Sequence, residues 1–339
     1  MTAMKTGKLS TRWCVVLLIL PLAAGLLSLG IGRIWITPGE VLSAIFEAFS
    51  GSIDFQDLTH MTLWRLRLPR ILLAALAGAG LSTAGCAFQS LFANPLATPD
   101  TLGVASGASF GAALGLLMGM SSIGVQFTAL VMGGAAVTLT WLAGSGKSRG
   151  LSTIVLSGIM MGSLFNALVS LVKFVADEES QLPAITYWLM GGLNNASYRG
   201  LLLGAPAIIV GILILYLLHW RMNLLPLSED EARSSGVNIS VMRGVTVVCA
   251  TMITASCVSM CGQVGWVGLL IPHMCRMKFG SNHLSLLPAS ISFGAVFMII
   301  VDTVARSVSA QEIPISILTA IIGAPFFIIL MRRSGGWSL

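Results

Sequence analysis

The sequence predicts an all-α polytopic membrane protein with about ten transmembrane helices, and three observations point there. Asp, Glu, Lys and Arg make up only 9% of the 339 residues, where a soluble protein carries about 25%. Hydrophobic residues make up 55%, more than a water-facing surface of this size tolerates. The apolar residues form continuous runs close to the roughly 20 that a spanning helix needs, not the alternating segments of about ten of a membrane β-barrel. A soluble enzyme, a nucleic-acid-binding domain and a disordered chain are all excluded. No soluble domain interrupts the chain, so residues 1–339 read as one transmembrane domain.

The elements follow in order. Lys5, Lys8 and Arg12 precede an apolar run from Trp13 to Ile31. No small-x-small cleavage site ends it, so it reads as an uncleaved first span with residues 1–12 in the cytoplasm. A polar outer segment occupies 32–70. Further spans are expected at 71–93, 101–119, 123–143, 151–175, 200–219, 241–261, 284–305 and 313–331. A short, glycine-broken stretch at 264–275 reads as a tenth, partial crossing. Gly103, Gly107, Gly111, Gly115 and Gly119 recur every four residues, a bare stripe suited to close helix packing inside the subunit. The six cysteines fall nearly all in apolar stretches and read as small packing residues.

Charge sets the orientation. With both termini cytoplasmic, the inner side holds twelve basic and four acidic residues, and the outer side seven basic and nine acidic. That asymmetry follows the positive-inside rule.

The string Gly144-Ser145-Gly146-Lys147-Ser148 resembles the end of a phosphate-binding loop. Trp141 stands where the first glycine belongs, and no strand precedes it, so ATP binding is not expected there. No other motif supplies a catalytic constellation; the chain is not expected to be an enzyme or to hold a metal or cofactor.

In the cytoplasmic loop 220–243, Ser228 suits an N-cap, and Glu229, Asp230 and Glu231 suit a first helical turn. Ala232 and Arg233 continue it, and Gly236 suits its end. A short charged helix there could be a plain connector or the grip of a cytoplasmic motor. On the outer face, Arg67, Arg70 and Arg306 lie near span ends and read either as interfacial anchors or as partners for carboxylates of another protein. Asp302 lies in an apolar span and needs a partner, with Arg306 one turn away. His273, beside Pro272 and near Arg276, reads as a hydrogen-bonded structural residue rather than a metal ligand.

These residues resemble a known family, the membrane permeases of binding-protein-dependent ABC importers for ferric siderophores, haem and vitamin B12. The resemblance rests on strings in order: Arg67-Leu68-Pro69-Arg70, Gly85 with Gln89, Asn94-Pro95-Leu96-Ala97 with Pro99, and Trp188-Leu189-Met190-Gly191. Then come Ala232-Arg233 with Gly236-Val237, Val267-Gly268-Leu269 with Pro272-His273, Asp302 with Ala305-Arg306, Glu312-Ile313-Pro314, and Gly323-Ala324-Pro325-Phe326. Gln263 stands where the family usually has Pro, and Ser316 where it usually has Gly. The resemblance implies the vitamin-B12-importer type of permease fold, a dimer with a second permease subunit (the same or a paralogue), and a cytoplasmic ATP-binding subunit gripped by 228–236. It also implies an extracytoplasmic binding protein docked at Arg67, Arg70 and Arg306, and a metal-chelate substrate, first a ferric siderophore and alternatively haem or cobalamin. The expected location is the inner, or plasma, membrane. An ion-coupled secondary carrier is the rival class; it would place ionisable residues at mid-membrane.

Overall fold

The computed structural model describes residues 9–51, 53–144, 151–227, 231, 234–309 and 311–333. Among these the regular elements are helical, with no strand. Among the described residues, seven helices are long and apolar enough to cross a membrane: α1 Thr11–Gly30, α3 Leu58–Leu91, α5 Ser122–Gly144, α6 Leu151–Val175, α8 Tyr198–Leu217, α9 Ile239–Cys261 and α11 His283–Val308. The shorter α4 Val104–Leu117, α10 Val267–Phe279 and α12 Ile315–Arg333 stand where the sequence predicts the other three crossings. Among the described residues, two helices of more than two turns lie outside that set, α2 Pro38–Ser50 and α7 Gln181–Leu189, with single turns at Pro99–Leu102 and His219–Met222.

Helix α3 is the axle of the bundle. Its most apolar stretch is 83% buried, against 17% for α1 and 22% for α6. Helices α8, α9, α10 and α11 all pack on it. Small residues make this possible: a Cβ on Gly78 would strike the backbone of Gly294 on α11, and one on Gly85 the backbone of Gly268 on α10. Lipid offers no hydrophobic drive for helix association, so close backbone approach and interhelical hydrogen bonds carry the packing. Ser82 Oγ donates to the Ser290 carbonyl at 2.7 Å, and Ser292 Oγ to the Leu17 carbonyl at 2.6 Å.

The glycine stripe of α4 is used as the sequence predicts over its middle. Cβ atoms at Gly107, Gly111 and Gly115 would all run into α5, at Ala136, Thr128 and Val125. Gly103 and Gly119 lie just outside the helix, both with left-handed φ, and end the stripe.

The outer segment 32–70 is more ordered than its polarity suggests. Thr37-Pro38-Gly39-Glu40 forms a capping box, in which Thr37 N donates to Glu40 Oε2 at 2.7 Å and Glu40 N to Thr37 Oγ1 at 3.4 Å. Pro38 supplies the pre-set first turn. Helix α2 then buries Val41 and Ala44 with Ile36 and Leu63. Helix α3 starts at Leu58, well before the expected 71, through a π-helical stretch Met61–Arg67.

Five of the six cysteines are buried among apolar residues, and Cys14 is exposed. Most of the GSGKS string falls outside the described residues, as do Ser228, Glu229, Asp230, Ala232 and Arg233 of the loop 220–243.

Candidate functional site

Two polar clusters lie at opposite ends of α3. The first gathers the three arginines that the sequence singles out. Arg67 closes the π-helical stretch of α3 and Arg70 follows three residues on, with Arg306 in the last turn of the antiparallel α11. All three are buried, at 5%, 9% and 7% exposure. Arg70 Nε donates to Asp302 Oδ1 at 2.7 Å, and its Nη1 reaches both Glu312 oxygens at 2.9 Å. Arg306 donates through Nη2 to the Ser28 carbonyl and, at 2.7 Å, to Ser28 Oγ. Arg306 Nε stands 3.7 Å from Asp302 Oδ2. Arg67 donates to the carbonyls of Leu29 and Ile34, at the end of α1 and just beyond it.

Asp302 therefore has a stronger partner than the one the sequence suggests. The i,i+4 neighbour Arg306 is at arm's length, while Arg70, 232 positions away, makes the short bond. Asp302 is 1% exposed, and Glu312 is the outer, more accessible carboxylate, with its side chain 31% exposed. Three guanidiniums face two carboxylates here, and Arg67 is held by neutral carbonyls alone among the described residues. The cluster thus keeps an excess positive charge. Glu312 sits at φ +38 on the link to α12, a conformation a non-glycine residue adopts only when its surroundings hold it.

Beside this end, the segment after α7 joins α9 to α12. Gly192 N donates to the Cys261 carbonyl at 2.9 Å, and Ile315 N to the Gly191 carbonyl at 3.1 Å. Gln263 and Ser316, the two positions that the resemblance sets apart, both make bonds here. Gln263 Nε2 donates to Ser109 Oγ on α4 at 2.8 Å, and Ser316 Oγ to the Met190 carbonyl at 2.5 Å. Each polar side chain thus pins a joint that its Pro or Gly counterpart would leave without that hydrogen bond.

The second cluster lies at the far end of α3. His283, the first residue of α11, is buried. Its backbone N and its Nδ1 both meet Asn223 Oδ1 at 3.0 Å, which assigns the proton to Nδ1. Its Nε2 then accepts from Ser90 Oγ, 2.6 Å away at the end of α3. Asn223 Nδ2 donates to Asn282 Oδ1 at 3.2 Å. Arg276 Nη2 donates to Gln89 Oε1 at 2.8 Å. These residues border a cavity of about 790 Å³ that opens beside Trp220 and Pro226. Sequence reasoning missed this cluster, although Asn282 before a long apolar run is a visible N-cap signal.

Beyond Pro226 the described part of the loop is brief. Glu231 and Ser234 are helical, Ser234 Oγ and Ser235 Oγ donate to the Glu231 carbonyl at 2.7 and 3.2 Å, and Gly236 has φ +74. Asn238 then caps α9. So the loop to which the resemblance gives motor contact meets α11 directly at Asn223–His283, and α3 through His283 and Ser90. His273 packs against the Phe327 ring, 5.5 Å between centroids. Its Nδ1 has no hydrogen-bond partner among the described residues, so ring packing replaces the expected hydrogen bond.

The bundle resembles solved structures. One, described as an inward-facing conformation of a metal-chelate type ABC transporter, superposes with TM-score 0.85 at 38% identity, over 96% of this chain and 100% of that one. The molybdate import system permease MolB of Haemophilus influenzae is 39% identical over 318 residues, 94% of each chain. A Helicobacter pylori protein named as an iron chelatin transport system permease is 35% identical, covering 95% of this chain and 97% of its own. The vitamin B12 import system permease BtuC of Salmonella arizonae is 34% identical over 96% of this chain and 95% of its own. The FecCD transport family model matches residues 17–333, and with these relatives along nearly its whole length the chain belongs to that family of ABC importer permease subunits.

Proposed function

We propose that this permease carries a ferric siderophore across the inner membrane, driven by ATP hydrolysis on a separate cytoplasmic subunit. It works beside a second permease subunit and receives substrate from an extracytoplasmic binding protein. The arginine end faces outward and the Asn223 end faces the cytoplasm, as the distribution of basic residues supports. Residues 228–236 contact the ATP-binding subunit, and Arg67, Arg70 and Arg306 receive the binding protein.

The observation that carries the docking assignment is the charge imbalance: three arginines meet two carboxylates. Their burial adds a condition. An incoming carboxylate reaches Arg70 by replacing Glu312, the accessible partner, while Asp302 stays in place below. Glu312 leads through Pro314 into α12, so its release would be felt at the root of that helix.

Affinity for the binding protein, measured in nanodiscs at two salt concentrations, tests this. Arg67→Glu and Arg306→Glu weaken docking more than the alanine changes, because repulsion replaces attraction. Glu312→Gln tightens it several-fold, because a competitor for Arg70 is gone. Unchanged affinity in all of these variants would sink the docking assignment.

The substrate is tested by uptake into proteoliposomes holding the assembled transporter, with radiolabelled ferric siderophores, haem, cobalamin and molybdate. Saturable uptake of a ferric siderophore is expected. The 39% identity to the H. influenzae molybdate permease supports a second reading, a small oxyanion, and selective molybdate uptake would replace the first.

A further inference from the structure

We propose that the groove between α10 and α11 binds an anionic phospholipid of the cytoplasmic leaflet, with its phosphate at Lys278 and an acyl chain along the aromatic wall above. The proposal rests on the orientation given above, which places Lys278 at the cytoplasmic membrane surface.

The groove measures about 290 Å³ and is lined by Met274, Phe279, Phe293, Phe297 and Ile300 among others, with Lys278 the only formal charge among its lining residues. Phe293 to Ile300 extends about 10 Å along α11 toward mid-membrane. The groove runs alongside Ile271–Phe279 of the 13-residue α10 and the Phe293–Ile300 stretch of the 26-residue α11. Met274 and Ile300 are 43% and 53% exposed and hold the groove open toward lipid.

Lys278 closes the cytoplasmic end. Its ammonium stands 4.4 Å from the Trp13 ring centroid, 5.7 Å from Phe279 and 5.9 Å from Phe293. The rings fix the charge in position by cation–π attraction but supply no hydrogen-bond acceptor in the ring plane. No described carboxylate pairs with it. A phosphate diester at the groove mouth supplies both acceptor oxygens and counter-charge, and basic pockets between helices on the cytoplasmic side are where anionic headgroups bind. A second protein chain seated here without such a group would bury an unpaired ammonium against aromatic rings, which is costly. The apolar wall and the single cation together match one amphiphile with an anionic head.

The test uses the full-length protein in phosphatidylcholine nanodiscs, doped with phosphatidylglycerol or phosphatidylcholine that carries a photoactivatable acyl chain, with adducts mapped by mass spectrometry. The phosphatidylglycerol probe should label residues 293–300 about fivefold more than the phosphatidylcholine probe at equal mole fraction, as expected for one lysine at an anionic headgroup. Lys278→Gln should abolish that preference, Lys278→Arg should keep it, and Lys173→Gln, in the last turn of α6, should leave it untouched. Equal labelling by both probes, or a preference that survives Lys278→Gln, overturns the site. So does a disulfide between two copies through Met274→Cys, which would put the groove in the subunit seam. Labelling of a Lys278→Cys variant from outside intact cells would instead refute the orientation and leave a headgroup preference measured in nanodiscs standing.

Discussion

Asp302 is the residue on which the arginine end depends. It is 1% exposed and accepts a 2.7 Å bond from Arg70, with Arg306 nearby. Removing it leaves a buried guanidinium facing only Glu312. Breaking a buried pair from one side costs about 3–5 kcal/mol, whereas a partly exposed pair is worth about 1 kcal/mol or less. Asp302→Ala should therefore lower the thermal unfolding midpoint in detergent far more than Glu312→Ala does, and equal losses would show that Arg70 is held mainly by Glu312. Glu312→Ala should keep the fold while changing docking, so stability and binding separate at neighbouring positions. The sequence shows that Asp302 needs a partner, because a carboxylate in an apolar span always does. It does not show which, because the local candidate Arg306 has the helical spacing while Arg70 comes from a helix that only tertiary packing brings near.

Helix α4 packs by the absence of side chains. A Cβ on Gly111 would enter the backbone of Thr128, whereas one on Gly134 of α5 would meet nothing within 4 Å. Gly111→Leu should force α4 and α5 apart and reduce the yield of monodisperse protein; overpacking costs about 1–3 kcal/mol or more. Gly134→Leu, the same change on the partner helix, should be nearly neutral by size-exclusion profile and unfolding midpoint. Matching losses would mean that the stripe is not the contact. This seam was legible because a four-residue glycine period has one geometric meaning on a helix. The spans were legible because apolar runs near twenty residues have few alternatives. Helix α2 was not read, because its charges hid it from a search for apolar runs, although Thr37-Pro38-Gly39-Glu40 announces a helix start. The early start of α3 was hidden in the same way by Arg65 and Arg67, which the structure accommodates in a π-helical stretch, Arg65 over the Phe55 ring and Arg67 on the carbonyls of Leu29 and Ile34.

For the whole molecule, orientation decides which end meets which partner. In a background lacking the exposed Cys14, a cysteine at Ser50 should react with an impermeant maleimide added outside intact cells, and one at Ser234 should react only after permeabilisation; the reverse pattern would exchange the docking and motor ends. The burial of α3 has a further consequence, for biogenesis. The chain makes its axle second among the spans and its covers last. Ser82 finds the Ser290 carbonyl, Ser90 finds His283, and Gly85 finds Gly268 only after roughly 190 more residues have been made, about 10–40 s at ordinary translation rates. During that interval a helix bearing Arg70, Ser82, Gln89 and Ser90 waits without its final neighbours. It needs shelter at the insertion machinery or an intramembrane chaperone, and nascent chains released before α11 should be destroyed by membrane quality control more quickly than chains that lack only α12.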